Sequence, residues 1–347
     1  VRAIKLAPAG FAFLTAVSAA FAQPAATQTA VRVTLDGSFA GPSAPFFVAQ
    51  DRGYYRAEKL DVTIDAAGSS RDAVSRVTSG AADLGLADIN ALIKYRDLNP
   101  AVPVKALFIV YDKPPYAIIT RKSRGIEKPK DLEDKKLGAP AAEAAYAQWL
   151  LLAKVNGIDL AKVAVENVAA AVREPMLAAG QVDAITGISF SSYVDLKDRG
   201  VPVDDLVVLP MADYGLHLYG EAIIANPKFV SENPDAVKAF LRAFLKGLKD
   251  TIKDPARAVE SVVKRNETLK KDLELERLRM AIRDNIVTAE VKANGLGGVD
   301  PLRLGQAIDQ IGLTFKFKAK PEAQDIFDPS FLPPAAERKV NEPQRPG

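Results

Sequence analysis

From Val31 onward the chain alternates between short apolar runs and longer runs of helical period, in two series separated by Pro114-Pro115. Few architectures accept that pattern. A strand that leads through a helix into another strand crosses the face of a sheet, so repeating the unit builds an α/β domain with a mainly parallel sheet. In the first series, VRVTLD (31–36), DVTIDA, LGLA and VKALFIVYD (104–112) read as strands. PFFVAQDRGYYRAE (45–58), SSRDAVSRVTS and INALIKYRDL read as helices between them. KPPYAIITRKS (113–123) opens the second series, which runs to VDDLVVLPM (203–211). YGLHLYGEAIIAN (214–226) reads as a strand returning to the first domain, and three helix-like runs follow. From Lys318 the chain is rich in Pro, so a tail draped over the surface is expected, its last ten residues without fixed structure. A length of 347 residues suits about two domains.

The first residues carry a different signal. Arg2 and Lys5 precede an apolar stretch from about Leu6 to Ala19, and Ala20-Phe21-Ala22 follows. That order describes an export signal at 1–22, cut after Ala22. The apolar part is too short to span a bilayer. A mature chain that starts at Gln23 has no cysteine for a lipid anchor, which points to the periplasm.

Composition removes several functions. The sequence holds no Cys and one His, His217, so a Cys- or His-based zinc site, a disulfide and a thiol nucleophile are excluded. No metal and no cofactor is expected. No G-x-S-x-G elbow accompanies His217, which is expected to be structural. A net charge of +3 spread along the chain offers no basic patch for nucleic acid. One internal match stands out: Gly80-Ala-Ala-Asp83 and Gly180-Gln-Val-Asp183 each precede an apolar strand. Gly suits the left-handed position that ends a helix, and two similar domains would each carry this corner.

LDGSFAGPSAPFFVAQDRGYYRAEKLDVTI is followed in order by AAGSSRDAVSRVTSGAADLGLAD, DLEDKKLGAP, GQVDAITG and IIANPKFVSENPDAVKAFLRAFLKGL. This series, over Val31–Asn285, resembles periplasmic substrate-binding proteins of ABC transporters. It is of the nitrate/sulfonate/taurine type, whose superfamily also holds binders of thiamine-pyrimidine precursors. The resemblance implies a two-domain periplasmic-binding-protein fold of type II, with the ligand in a cleft between domains joined by two hinge strands. Domain 1 would be discontinuous, 31–112 and 214–317, domain 2 would be 116–211, and 318–347 the tail. It further implies a monomer that is not an enzyme and closes about its hinge on a small organic ligand. That ligand would pass to an ABC permease and its ATPase in the inner membrane. The sequence departs from pyrimidine-precursor binders in a first loop, GSFAGPSAP, without His. It departs from pyrimidine synthases of the superfamily in lacking their cysteine-rich motif, and from sulfonate binders in offering GAPAAEAAY without a hydroxyl.

In open α/β sheets, ligands gather at the carboxyl ends of strands, where helix starts point N–H groups outward. The candidate ligand-binding residues are therefore Phe39, Gly41, Pro42 and Ser43 after strand one, and Gly68, Ser69, Ser70 and Arg71 after strand two. Asp88 and Asn90 follow strand three, and Tyr111, Asp112 and Tyr116 lie at the crossing. Pro140, Ala141, Ala142, Thr186, Gly187, Ser189 and Phe190 face them from the second domain. Ser69 or Ser70 caps its helix or donates to the ligand. Arg71 is electrostatically misplaced at a helix start, so it is a candidate fork for a carboxylate or sulfonate. Asp88 and Asn90 cap the next helix or read a hydroxyl or amine. Trp149 is expected in the core. The expected ligand is a carboxylate or sulfonate with an apolar or aromatic body. The alternative is a pyrimidine-type thiamine precursor, stacked on Phe39 or Tyr116 with Asp88 or Asp112 accepting its amino hydrogens. A second alternative is an enzyme on the same fold.

Overall fold

The computed structural model describes Ala3 and residues 28–340, so the expected export signal and most of the last ten residues lie outside the described residues. Two five-stranded sheets form two α/β lobes. The first sheet holds β1 (Thr29–Leu35), β2 (Leu60–Ala66), β3 (Leu84–Asp88), β4 (Lys105–Ile109) and, from far along the chain, β10 (Glu221–Ala225). Its order is β2-β1-β3-β10-β4. The second holds β5 (Tyr116–Arg121), β6 (Lys136–Ala139), β7 (Ala164–Asn167), β8 (Ala184–Ile188) and β9 (Leu206–Pro210). Its order is β7-β6-β8-β5-β9. In each sheet one strand runs against the rest: β10 is antiparallel to β3 and β4, and β5 is antiparallel to β8 and β9. The chain passes between the sheets twice, after β4 and after β9.

The two sheets thus share one topology, and the Gly-x-x-Asp match is its mark. Gly80 and Gly180 both take positive φ, +79° and +73°, where a side chain would be strained. The carboxylate of Asp83 accepts the backbone N–H of Arg32 at 2.8 Å, and the Asp83 N–H donates back to the Arg32 carbonyl. Asp183 repeats this on Lys136, at 2.9 Å. Each Asp therefore locks the start of the third strand of its βαβ unit to the start of the first.

Each sheet is mainly parallel, as expected. Three expectations need correction. The run 45–58 is two helices, Ala44–Asp51 and Tyr54–Ala57, because Gly53 turns left-handed between them. Of 214–226 only Glu221–Ala225 is strand. Ahead of it side chains satisfy the backbone instead: the His217 N–H donates to Gln310, and Arg303 donates to the carbonyls of His217 and Leu218. The tail from Lys318 does not simply drape over the surface. Asp97 accepts the N–H groups of Lys318 and Ala319, Phe327 bridges Ala106 beside β4, and Ile326 is fully buried. Trp149 sits in the core as expected. Among the described residues no helix is long and apolar enough to cross a membrane.

The carboxylates of Asp83 and Asp183 are acceptors for backbone groups of their sheets. Replacing either Asp by Ala should cost about 0.5–1.5 kcal/mol, the usual net worth of a hydrogen bond that is not fully buried. The sites lie in different lobes, so urea denaturation of the double variant should show additive losses. A double variant no less stable than the wild type would contradict the role given to this corner.

Candidate functional site

The carboxyl edge of the first sheet carries a group of acids. Asp36 follows β1, Asp88 ends β3, and Glu221 opens β10. Ser70, the first residue of the helix Ser70–Ser79, joins two of them: its hydroxyl donates to Asp36 at 2.6 Å and accepts the Asp88 N–H at 3.0 Å. One oxygen of Asp88 caps the helix Ile89–Leu98 by accepting the Asn90 N–H at 2.8 Å, and it also accepts the Asn90 side-chain amide at 2.6 Å. The other accepts the Tyr116 hydroxyl at 3.1 Å. Tyr116 begins β5, so this bond runs from one lobe to the other. Asp88 and Glu221 are 1% and 6% exposed, and one Glu221 oxygen, Oε2, has no hydrogen-bond partner.

No ion pair reaches these three acids from the described residues. Burial raises the Asp36 carboxyl to about 6, against the Ser70 hydrogen bond that lowers it, and the charge of Asp88 adds to the rise. Burial likewise raises Asp88, in spite of its bonds from Asn90 and Tyr116. Glu221 rises well above the usual range, through burial first and then the charges of Asp36 and Asp88. Lys94, a turn along the helix from Asn90, is the nearest cation in this electrostatic set. It does not bond to the acids, and burial lowers its own pKa.

Of the residues expected from sequence, Ser70, Asp88, Asn90 and Tyr116 meet in this group. Ser69 caps its helix, accepting the Asp72 N–H at 3.2 Å, and the Gly68 N–H donates to Asp72. Arg71 is exposed and makes no hydrogen bond or ion pair among the described residues. Tyr111 and Phe190 meet edge to face at 6.4 Å across the lobes. Asp112 belongs to another network, with Arg303 at 2.9 Å and Thr288. Thr186 and Gly187 are buried in β8, the Ser189 N–H donates to the Pro115 carbonyl, and Pro140 is buried. Ala141 and Ala142 are exposed, and the Ala141 N–H donates to Asn167. The first loop packs inward. Phe39 lies edge to face on Phe47, and the Gly41 N–H donates to Glu274 at 2.6 Å. A Cβ on Gly41 would fall 2.1 Å from the Glu274 carbonyl oxygen. Pro42 and Ser43 complete a single 3-10 turn there.

Sequence reasoning passed over Glu221, Lys94 and a second polar group in the lobe of β5–β9. There Arg173 pairs with Glu143 at 2.6 Å and Glu174 at 3.0 Å, and the Ser192 hydroxyl donates to Glu174. This group lies against Gly187, where a Cβ would come within 3.4 Å of the Arg173 guanidinium carbon. The acid at the head of the apolar run EAIIA was the available signal for Glu221. A cavity of about 1410 Å³ lies beside the crossings. It is lined by Asp112, Ser189, Tyr193, Arg279 and Arg283 among others, and the buried acids do not face it. Across the lobes, Arg277 pairs with Asp195, Lys197 with Glu276, and Lys270 with Asp198.

The model of the family described as NMT1/THI5 like matches residues 42–258. The chain belongs to the NMT1/THI5-like family. Within it, the riboflavin-binding protein RibY of Chloroflexus aurantiacus is 30% identical over 259 residues, 71% of this chain and 68% of that one. The 4-amino-5-hydroxymethyl-2-methylpyrimidine phosphate synthase of Schizosaccharomyces pombe is 29% identical over 229 residues, 63% of this chain and 64% of that one. Among solved structures, the periplasmic aliphatic sulphonate binding protein SsuA of Escherichia coli superposes with a TM-score of 0.65 at 15% identity. The match covers 85% of this chain and 96% of that one, and it shows the periplasmic-binding-protein fold.

A carboxyl whose pKa is raised by folding binds its proton more tightly in the native state. Its contribution to stability is therefore greatest below the unfolded pKa and falls as pH rises through the folded one. For Asp36 that window runs from the ordinary carboxylate range to about 6. The loss of stability between pH 4 and pH 7 should shrink by up to about 3 kcal/mol in Asp36→Asn, measured by urea denaturation across that range. An unchanged pH profile would contradict the burial assigned to this acid.

Proposed function

We propose that the protein is the exported solute-binding component of an ABC importer. In this reading it is a periplasmic monomer that closes on its solute and hands it to a permease and ATPase in the inner membrane. We propose further that the solute is a small planar nitrogen heterocycle of pyrimidine type, bearing amino or ring N–H hydrogens. One observation carries this choice. Asp36, Asp88 and Glu221 gather at the ligand-facing edge of the first sheet without a paired cation. Their oxygens are acceptors, and a buried acceptor is costly until a donor meets it. A carboxylate or sulfonate brings no such donor. An aminopyrimidine brings donors and a ring for the aromatic side chains. Two family members named for riboflavin and for a pyrimidine phosphate support the same class.

The reading as a binder rather than a synthase rests on the side chains. The sequence has no Cys, and its one His, His217, is exposed and held by its backbone to Gln310 and Arg303, away from the acids. Without a positioned nucleophile or an acid–base pair around a reacting atom, the acid group can hold a solute but has no evident step to perform on it.

The carboxylate or sulfonate expected from the sequence is the second reading, and Arg71 favours it. An exposed guanidinium without a partner, one residue past a helix start, is available to such an anion.

Calorimetry separates the two. Wild-type protein should bind 4-amino-5-hydroxymethyl-2-methylpyrimidine or riboflavin in preference to ethanesulfonate or benzoate. Asp88→Asn and Glu221→Gln should each weaken heterocycle binding about tenfold or more, since a hydrogen bond to a charged group contributes roughly 1.5–3 kcal/mol. Arg71→Ala should leave it within about threefold. Tight binding of ethanesulfonate or benzoate that collapses in Arg71→Ala would overturn the heterocycle in favour of the anion.

A further inference from the structure

The lobe of β5–β9 contains a polar side chain that none of its own contacts explains. Gln148 lies on the helix Ala144–Val155, in a run that is otherwise Ala, Leu, Tyr and Trp up to Lys154. It is 5% exposed, and both Oε1 and Nε2 lack a hydrogen-bond partner among the described residues. A carboxamide supplies two donor hydrogens and an acceptor, and burying all of them unpaired is destabilising. Leu, of similar volume, would fill the position without that penalty. A glutamine at this place therefore points to something that pairs with it.

Its surroundings show what it faces. The helix packs on β5 and β8. On that face of the sheet Ala184, Ile118 and Tyr116 share a core with Trp149 and Leu152 of the helix, while Ile185 and Ile119 point to the opposite face. Thr186, two residues from Ala184, therefore shares the face of Gln148, and its hydroxyl is also buried without a partner. In register, Thr186 lies opposite Ile118 and Ile188 opposite Tyr116. The Tyr116 hydroxyl reaches Asp88 in the other lobe. Across that bond Asn90 Oδ1 and Glu221 Oε2 are unpartnered as well. Unpaired polar atoms thus lie on both sides of the one side-chain bond that ties the acids to the second lobe.

We propose that Gln148 determines solute specificity from the second lobe. Its carboxamide forms a donor–acceptor pair with adjacent acceptor and donor atoms on the edge of a planar nitrogen heterocycle. A side-chain amide pairs in this bidentate way with a ring nitrogen and its neighbouring amino group. The assignment rests on the heterocycle reading above and deepens it: the acids of the first lobe take solute hydrogens, and Gln148 reads a ring nitrogen beside an amine.

The test uses 4-amino-2-methylpyrimidine as probe, with calorimetry and ligand-free melting on wild type, Gln148→Leu and Gln148→Met. The expected result is a loss of about tenfold or more in affinity for both variants, with ligand-free Tm unchanged or raised. A residue with a purely structural role would not show that split. Variants that bind the probe as tightly as wild type would overturn the assignment, as would be the case if the amide holds only a buried water. So would a fall in Tm with unchanged affinity. If wild type does not bind the probe while Asp88→Asn and wild type behave alike toward every heterocycle tried, the heterocycle reading itself fails and this assignment with it. If wild type binds the probe and Asp88→Asn weakens it while the Gln148 variants bind as tightly as wild type, the assignment alone falls.

Discussion

The structure is organised around three neighbouring carboxyls, Asp88 and Glu221 buried and Asp36 half-buried, that no ion pair reaches among the described residues. Asp36, Asp88 and Glu221 come from three strands of one sheet, and they meet because β10 enters antiparallel between β3 and β4. Burying acids together is unfavourable, and the surrounding bonds offset only part of the cost: Ser70 and Asn90 from the same lobe, Tyr116 from the other. A fold that sought stability alone would place apolar side chains there. Retaining the acids makes sense where a donor-bearing solute completes them.

Both lobes are built on the same strand order with the same Asp lock at the same corner. The lobes are joined by two crossings, the Tyr116–Asp88 bond, the Tyr111–Phe190 contact, ion pairs between the helices Lys271–Ala281 and Ser189–Asp198, and apolar side chains of both lobes that share one buried cluster.

Much of this was legible in the sequence because it is local. Alternating apolar runs place the strands, Ser69 and Asp88 announce helix caps, and the repeated Gly-x-x-Asp marks one corner twice. Ser70, Asp88 and Asn90 were singled out because they stand at the carboxyl ends of strands, where α/β folds gather ligands, and Tyr116 because it lies at the crossing. What stayed hidden is long-range. Glu221 lies 133 residues beyond Asp88 in sequence, and only the antiparallel register of Glu221 against Asp88 brings them side by side. Gln148 carries no signal in the sequence, because its burial depends on how its helix packs on the sheet. Gly41 looked like a ligand loop, but its missing Cβ serves the close approach of Glu274. The Pro-rich end gave no hint that Asp97 and Ala106 would anchor it.

The central claim is that the solute brings hydrogen-bond donors to an acid-lined site. The most direct measurement is to express the chain, purify it without denaturation, unfold it, and identify the small molecule released by mass spectrometry. A planar nitrogen heterocycle carrying amino or ring N–H groups is the predicted result. Release of a sulfonate, or of a carboxylate without such hydrogens, would contradict the account.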